Sequence, residues 1–209
     1  MAGFGDVSEG LAKEFQHMPV AISLAVNNPI KKISTGSGGK VLYFHQFIET
    51  EQKLEDIQKK IVQELRHRGW KAFAIPPNSN KVSHRFITRL YPLFPHKTAA
   101  TCAGLGWIGR NGLLIHEDFG AHLNWATVLT DAPLAVSQQP VTESRCGNCY
   151  RCVKACPAKA ILGVTWRRSV NPQPLIDTNR CAEQIRANAI DTGYSVCGIC
   201  ALVCRGKGC

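Results

Sequence analysis

RCGNCYRCVKACPAKAI, residues 145–161, places four cysteines within eleven positions and follows the last with a proline. Thiols this close are bridged to one another, bound to metal, or held reduced. The rest of the chain narrows the choice. Its 209 residues are 44% hydrophobic and 19% charged, which suits a packed globular protein rather than a disordered or fibrous one. The longest early apolar run, PVAISLAV, is too short to cross a bilayer, and the N-terminus has no basic stretch leading into an apolar leader. These features point to a cytoplasmic protein without membrane attachment. In that compartment disulfides are disfavoured, whereas metal ligation both deprotonates and protects a thiol.

Of the ten cysteines, Cys102 stands alone and the other nine lie from Cys146 onward. The spacing from Cys146 is C-x2-C-x2-C-x3-C-P, the bacterial ferredoxin run for 4Fe–4S clusters. Three closely spaced thiolates on a tight turn reach three corners of one cubane, and the fourth serves a second cubane. Zinc is content with separated C-x2-C pairs, so four cysteines at this spacing crowd a tetrahedral ion. A second half is therefore expected, and CGICALVC supplies Cys197, Cys200 and Cys204. It lacks a first cysteine. Cys181, in DTNRCAEQI, is the obvious substitute, with Cys209 the alternative. The expected sets are Cys146, Cys149, Cys152 and Cys204 for one cluster, and Cys156, Cys181, Cys197 and Cys200 for the other. Cys156 is expected to begin a helix, with Pro157 at its start. Cys102 reads as a small buried hydrophobe.

Residues 1–140 read as a mixed α/β domain and residues 141–209 as the two-cluster ferredoxin-like domain, with APLAVSQQPVTESR as the linker. VAISLAV is a continuous apolar run and so a buried strand. PIKKISTGSGGK has the composition of a loop, and VLYFHQFI leads from it into a helix. In that helix Leu54, Ile57, Ile61 and Leu65 recur at helical spacing, and Gly69 is placed to cap it. KAFAIPP returns as a strand. A strand–helix–strand sequence implies a parallel sheet covered on both faces. AGLGWIGRNG is a glycine-rich loop, followed by the strands GLLI and LNWATVL.

AGLGWIGRNGLLI, LTDAPL, CGNCYRCVKACPAKAI, NRC and CGICALVC, in this order, resemble the epoxyqueuosine reductase family, which shares its cofactor logic with reductive dehalogenases. The resemblance also takes in YFHQFIETEQKLEDIQKKI and VAISLAV. It implies a cobalamin-binding α/β domain followed by a two-cluster ferredoxin domain, with electrons passing through the clusters to the cobalt. The implied substrate is the epoxide of a modified tRNA wobble nucleoside. Gly104, Gly106, Gly109 and Gly112 then either line a corrinoid pocket or serve as turn and packing glycines. Tyr43 and His45 sit on the helix approach, as cofactor-side or structural residues. The family's catalytic carboxylate precedes the glycine loop, but no Asp or Glu lies between Glu64 and Glu117 here. His96 and Lys97 are the substitute proton donors to test, against the plainer reading of a solvated histidine. Arginine follows Cys204 where the family has proline, and the chain reads as a short relative without the family's C-terminal helical repeats.

The formal charge is +10. Two 4Fe–4S clusters at about −2 each, counted with their thiolates, bring it to roughly +6. RHRGWK, HRFITR and TWRRS spread this charge rather than gather it in a tail, which leaves tRNA contact and plain solubility as competing readings. Two functions follow: a reductase fed by a redox protein or small reductant, or a ferredoxin-type carrier with no catalytic site of its own. A flavin-binding variant has no residue signature.

Overall fold

The computed structural model describes residues 1–28, 37–77, 94–169 and 171–206, with side chains from residue 44 onward in the first helix. The described chain divides into two compact units. The first comprises residues 1–26, 50–105 and 124–141. The second gathers residues 27–49 and 106–123 with residues 142–209.

The first unit is built on a four-stranded sheet of β1 (Ala2–Asp6), β2 (Val20–Asn27), β3 (Ala72–Ile75) and β6 (Leu123–Thr130), in the order β1-β2-β6-β3. β1 runs antiparallel to β2, with Phe4 opposite Ile22, and β3 runs antiparallel to β6, with Ile75 opposite Thr127. The expected parallel sheet is therefore corrected. The strands on either side of the first helix are not neighbours, because β6 arrives later in the chain and inserts between them. Double coverage does hold, and the two-residue period of the strands explains it. On β3, Ala72 and Ala74 face one apolar cluster while Phe73 and Ile75 face the other. The first cluster takes in Leu54, Val62 and Leu65 of α1 (Ser37–His67); the second takes in Val7, Phe15 and Phe94, with Ala99 and Cys102 from α2 (His96–Cys102). Cys102 is the buried small hydrophobe that the sequence implies.

The sequence misjudges α1 in two ways. It begins at Ser37, so Tyr43 and His45 lie inside it rather than on its approach, and SGGK is helical; residues 29–36 of the expected loop lie outside the described residues. Its buried face is also rotated from the expected one. Ile57 is 39% exposed, whereas Gln58 is 2% exposed. Gln58 donates from Nε2 to the carbonyls of Ile75 and Thr127, each at 2.7 Å. Those two residues face each other across the β3–β6 pair, so one amide ties the helix to both strands and is itself satisfied. The helix ends as expected at Gly69, whose φ of +85° is the left-handed conformation glycine tolerates. There the Trp70 amide bonds back to the Leu65 carbonyl at 3.0 Å.

In the second unit, β4 (Trp107–Ile108) and β5 (Leu114–Ile115) form a short antiparallel hairpin. Three short helices follow: α3 (Arg151–Ala155), α4 (Thr178–Thr192) and α5 (Ile199–Leu202), with α3 packed on α5. Asp177 caps α4, its side chain accepting from the amides of Asn179 and Arg180, and Gly193 closes it in the left-handed conformation. No described helix is long and apolar enough to cross a membrane.

Candidate metal centres

All eight cysteines expected to hold clusters lie in the second unit, and none of them is in a disulfide. Cys146 and Cys149 sit on the turn before α3, Cys152 lies within it, and Cys156 caps its end. Cys156 therefore ends a helix, contrary to expectation. Proline after it disfavours helical backbone at the preceding residue, and Cys156 is extended, with φ −68° and ψ 114°. Cys181 is in the first turn of α4; Cys197 precedes α5, Cys200 lies in it, and Cys204 follows it. Both CGxC turns use a left-handed glycine, Gly147 at φ +49° and Gly198 at φ +75°.

Cys146, Cys149, Cys152 and Cys204 line one cavity of about 250 Å³. Among the described residues no three His, Cys, Asp or Glu side chains gather closely enough to hold a single metal ion. Cysteines expected in the other set influence one another electrostatically. Burial raises the Cys181 pKa, and the neighbouring Cys197 and Cys156 raise it further. Burial, followed by Cys197, Cys152, Cys181 and Cys156, pushes Cys200 up to about 12. Cys152 is raised by burial and then by Cys146 and Cys149. Sulfurs that resist ionisation because they are buried and then because they crowd one another are what a cationic iron core offsets, so the donor set fits the cluster the spacing implies.

The loop at residues 109–112 holds both cysteine motifs, a role not expected from the sequence. Arg110 donates to the carbonyls of Gly147 and Cys149, while Asn111 donates from Nδ2 to the Cys200 carbonyl at 3.2 Å. His122 donates from Nε2 to the Ala201 carbonyl at 3.1 Å. The stretch after the glycine loop also comes very close to the last motif: a Cβ on Gly120 would overlap the Cys204 carbonyl, and one on Gly206 the carbonyls of His116 and Glu117. The available signal was a pair of polar residues, Arg110 and Asn111, between two glycines.

The remaining candidates fall elsewhere. At Gly104 the space for a Cβ is taken by the Gln139 carbonyl and Ser137 Oγ, at Gly106 by the Ile115 carbonyl, at Gly109 by Asn111 and Ile115, and at Gly112 by Ile176. Of the two readings of these glycines, packing of the chain against itself is the one the contacts carry. His45 is exposed, with its ring 5.6 Å from that of Tyr194, and the side chain of Tyr43 lies outside the described residues.

His96, in the first unit, is not the solvated side chain of the plainer reading. Its Nε2 donates to the Pro76 carbonyl at 3.0 Å, and its Nδ1 lies 2.9 Å from Thr127 Oγ1. Burial pushes its pKa down to about 4, against a smaller opposing effect of the Pro76 bond. Lys97 is exposed, so the desolvation that lowers its pKa is partial. A neutral histidine with both nitrogens engaged is a poor proton donor at neutral pH. Unfolded histidine takes up its proton near pH 6.5, so between there and about 4 the unfolded chain binds more protons than the folded one. Stability therefore falls as pH drops through that window, by on the order of 3 kcal/mol from this group. An NMR titration of the imidazole is expected to show a midpoint near 4; a midpoint near 6.5 contradicts the half-buried, neutral assignment.

Comparison with known proteins bears on the same residues. Residues 145–206 match the family model described as a 4Fe-4S double cluster binding domain. The epoxyqueuosine reductase of Aliivibrio fischeri is 30% identical over 164 residues, covering 77% of this chain and 39% of that protein. The chain is a relative of the epoxyqueuosine reductases. It spans well under half the length of that relative. Among solved structures, a catabolic reductive dehalogenase bound to 3-bromo-4-hydroxybenzoic acid superposes with a TM-score of 0.72 at 20% identity, over 98% of this chain and 29% of the other. The epoxyqueuosine reductase of Streptococcus thermophilus gives 0.55 at 21% identity, over 94% of this chain and 52% of the other. These two likenesses establish a shared fold.

Proposed function

We propose that the chain is an iron–sulfur reductase of the epoxyqueuosine reductase type. Cys146, Cys149, Cys152 and Cys204 would hold one 4Fe–4S cluster, and Cys156, Cys181, Cys197 and Cys200 the other. Bound there, the clusters pass single electrons. The observation that supports this reading best is the cavity lined by Cys146, Cys149, Cys152 and Cys204, beside the electrostatic influence of Cys197, Cys181 and Cys156 on Cys200. The influence of Cys152 on Cys200 supports neighbouring sets, as a path for electrons requires.

The substrate class is proposed from the relatives' name: an epoxide on a modified nucleoside, carried by tRNA and suited to a basic chain. Reducing such an epoxide to an alkene takes two electrons and two protons and releases water. The electrons would come from a redox protein or small reductant and be delivered toward residues 1–140. Cobalamin is the organic cofactor to try, on the strength of the relatives; the four glycines make no cradle for it. The test is anaerobic incubation of the cluster-loaded protein with a low-potential reductant and epoxyqueuosine-bearing tRNA, with and without added cobalamin. Conversion to queuosine supports the proposal. Full cluster reduction with rapid transfer to an acceptor protein, and no conversion under either condition, supports the carrier instead.

A further inference from the structure

Arg110 is only 6% exposed, yet it carries a permanent positive charge. Its guanidinium donates from Nε to the Cys149 carbonyl at 3.2 Å, from Nη2 to the Gly147 carbonyl at 2.8 Å, and from Nη1 to the Gly163 carbonyl and to Thr165 Oγ1 at 2.6 Å. The Tyr150 ring covers it, with the guanidinium carbon 4.3 Å from the ring centre. These partners are carbonyls, a hydroxyl and an aromatic face. Among the described residues they take four of its five N–H hydrogens and supply no opposite charge, and a buried charge is costly unless one faces it. Arg110 lines the same 250 Å³ space as Cys146, Cys149, Cys152 and Cys204; Glu117, Arg145 and Arg151 line it too but are exposed, which leaves the sulfurs as the groups that face the buried charge.

We propose that Arg110 is the counter-charge of the cluster held by Cys146, Cys149, Cys152 and Cys204, and that it raises the reduction potential of that cluster relative to the other. This rests on the two-cluster reading above. The sign follows from charge. With its four thiolates the oxidised cluster carries about −2, and one electron from the reductant takes it to about −3, with no bond made or broken and no proton required. A nearby fixed cation stabilises the more negative form, so it favours reduction. The same guanidinium shapes the loop bearing two of the ligands, which makes it a positioning residue as well.

The experiment is an EPR-monitored redox titration of the full chain, purified without air, comparing wild type with Arg110→Gln and Arg110→Lys. In R110Q one of the two clusters is expected to shift at least tenfold toward the oxidised form at a given potential, about 59 mV for a one-electron couple, with the other moving far less. R110K keeps the charge but not the fork, so its midpoint should stay close to wild type while iron is lost faster in air. R110Q with both clusters loaded and unchanged midpoints overturns the proposal. If R110Q fails to load, R110K decides: loading with lysine shows that charge is what the cluster needs, and failure with both shows that hydrogen bonding alone is the role. A wild type without iron–sulfur signals defeats the two-cluster reading itself, before Arg110 enters.

Discussion

Replacing Cys200 with alanine is expected to cut the iron content of anaerobically purified protein from about eight atoms per chain to about four. Cys200 is the thiol most crowded by others, with Cys197, Cys152, Cys181 and Cys156 all raising its pKa after burial itself. In the cluster-bound chain that crowding becomes ligation, and losing one corner of a cubane exposes its iron to solvent. Cys181→Ala should behave in the same way, because Cys181 shares Cys197 and Cys156 as neighbours. Cys209→Ala should leave all the iron in place. Iron and sulfide assays on the three variants check the assignment together. Full iron in C181A with loss in C209A would exchange the two residues and contradict the second set as drawn.

Gly120→Ala is expected to destabilise the chain by about 2–4 kcal/mol and to release the cluster that Cys204 serves. Two costs combine. Gly120 has φ +58°, a conformation that disfavours any Cβ, and the Cβ would land on the Cys204 carbonyl and on Arg205. Neither obstacle is a flexible side-chain tip; both are backbone beside a ligand. The Ala121 amide also bonds the Cys204 carbonyl at 3.2 Å, so moving one strand moves the other. Gly193→Ala is the control. Its φ of +76° carries the conformational cost, but nothing lies within 4 Å of the added carbon, so about 1 kcal/mol and no iron should be lost. Anaerobic thermal melts with iron counts on both variants measure the difference.

The cysteine framework was legible in the sequence because it is local: spacings of two and three residues dictate which sulfurs share a turn. The same holds for Gly69, where a helical period runs out at a residue that can turn left-handed. What the sequence hid is set by contacts distant along the chain. Ile57 scores as core and Gln58 as surface, yet the strand carbonyls of Ile75 and Thr127 make the glutamine the better buried residue. A strand–helix–strand pattern suggests parallel neighbours, but it cannot show that β6 will enter between them. His96 reads as solvated until Pro76 and Thr127 are placed around it. Arg110 and Asn111 look like ordinary loop residues, and only folding brings them to cysteine motifs 37 and 89 positions away.

The most direct test of the account is elemental and spectroscopic analysis of the wild-type chain made and purified without oxygen. About eight irons and eight acid-labile sulfides per chain, with an EPR signal on reduction from two neighbouring 4Fe–4S clusters, is the predicted result. Stoichiometric zinc without sulfide, or cysteines recovered as disulfides, would contradict it.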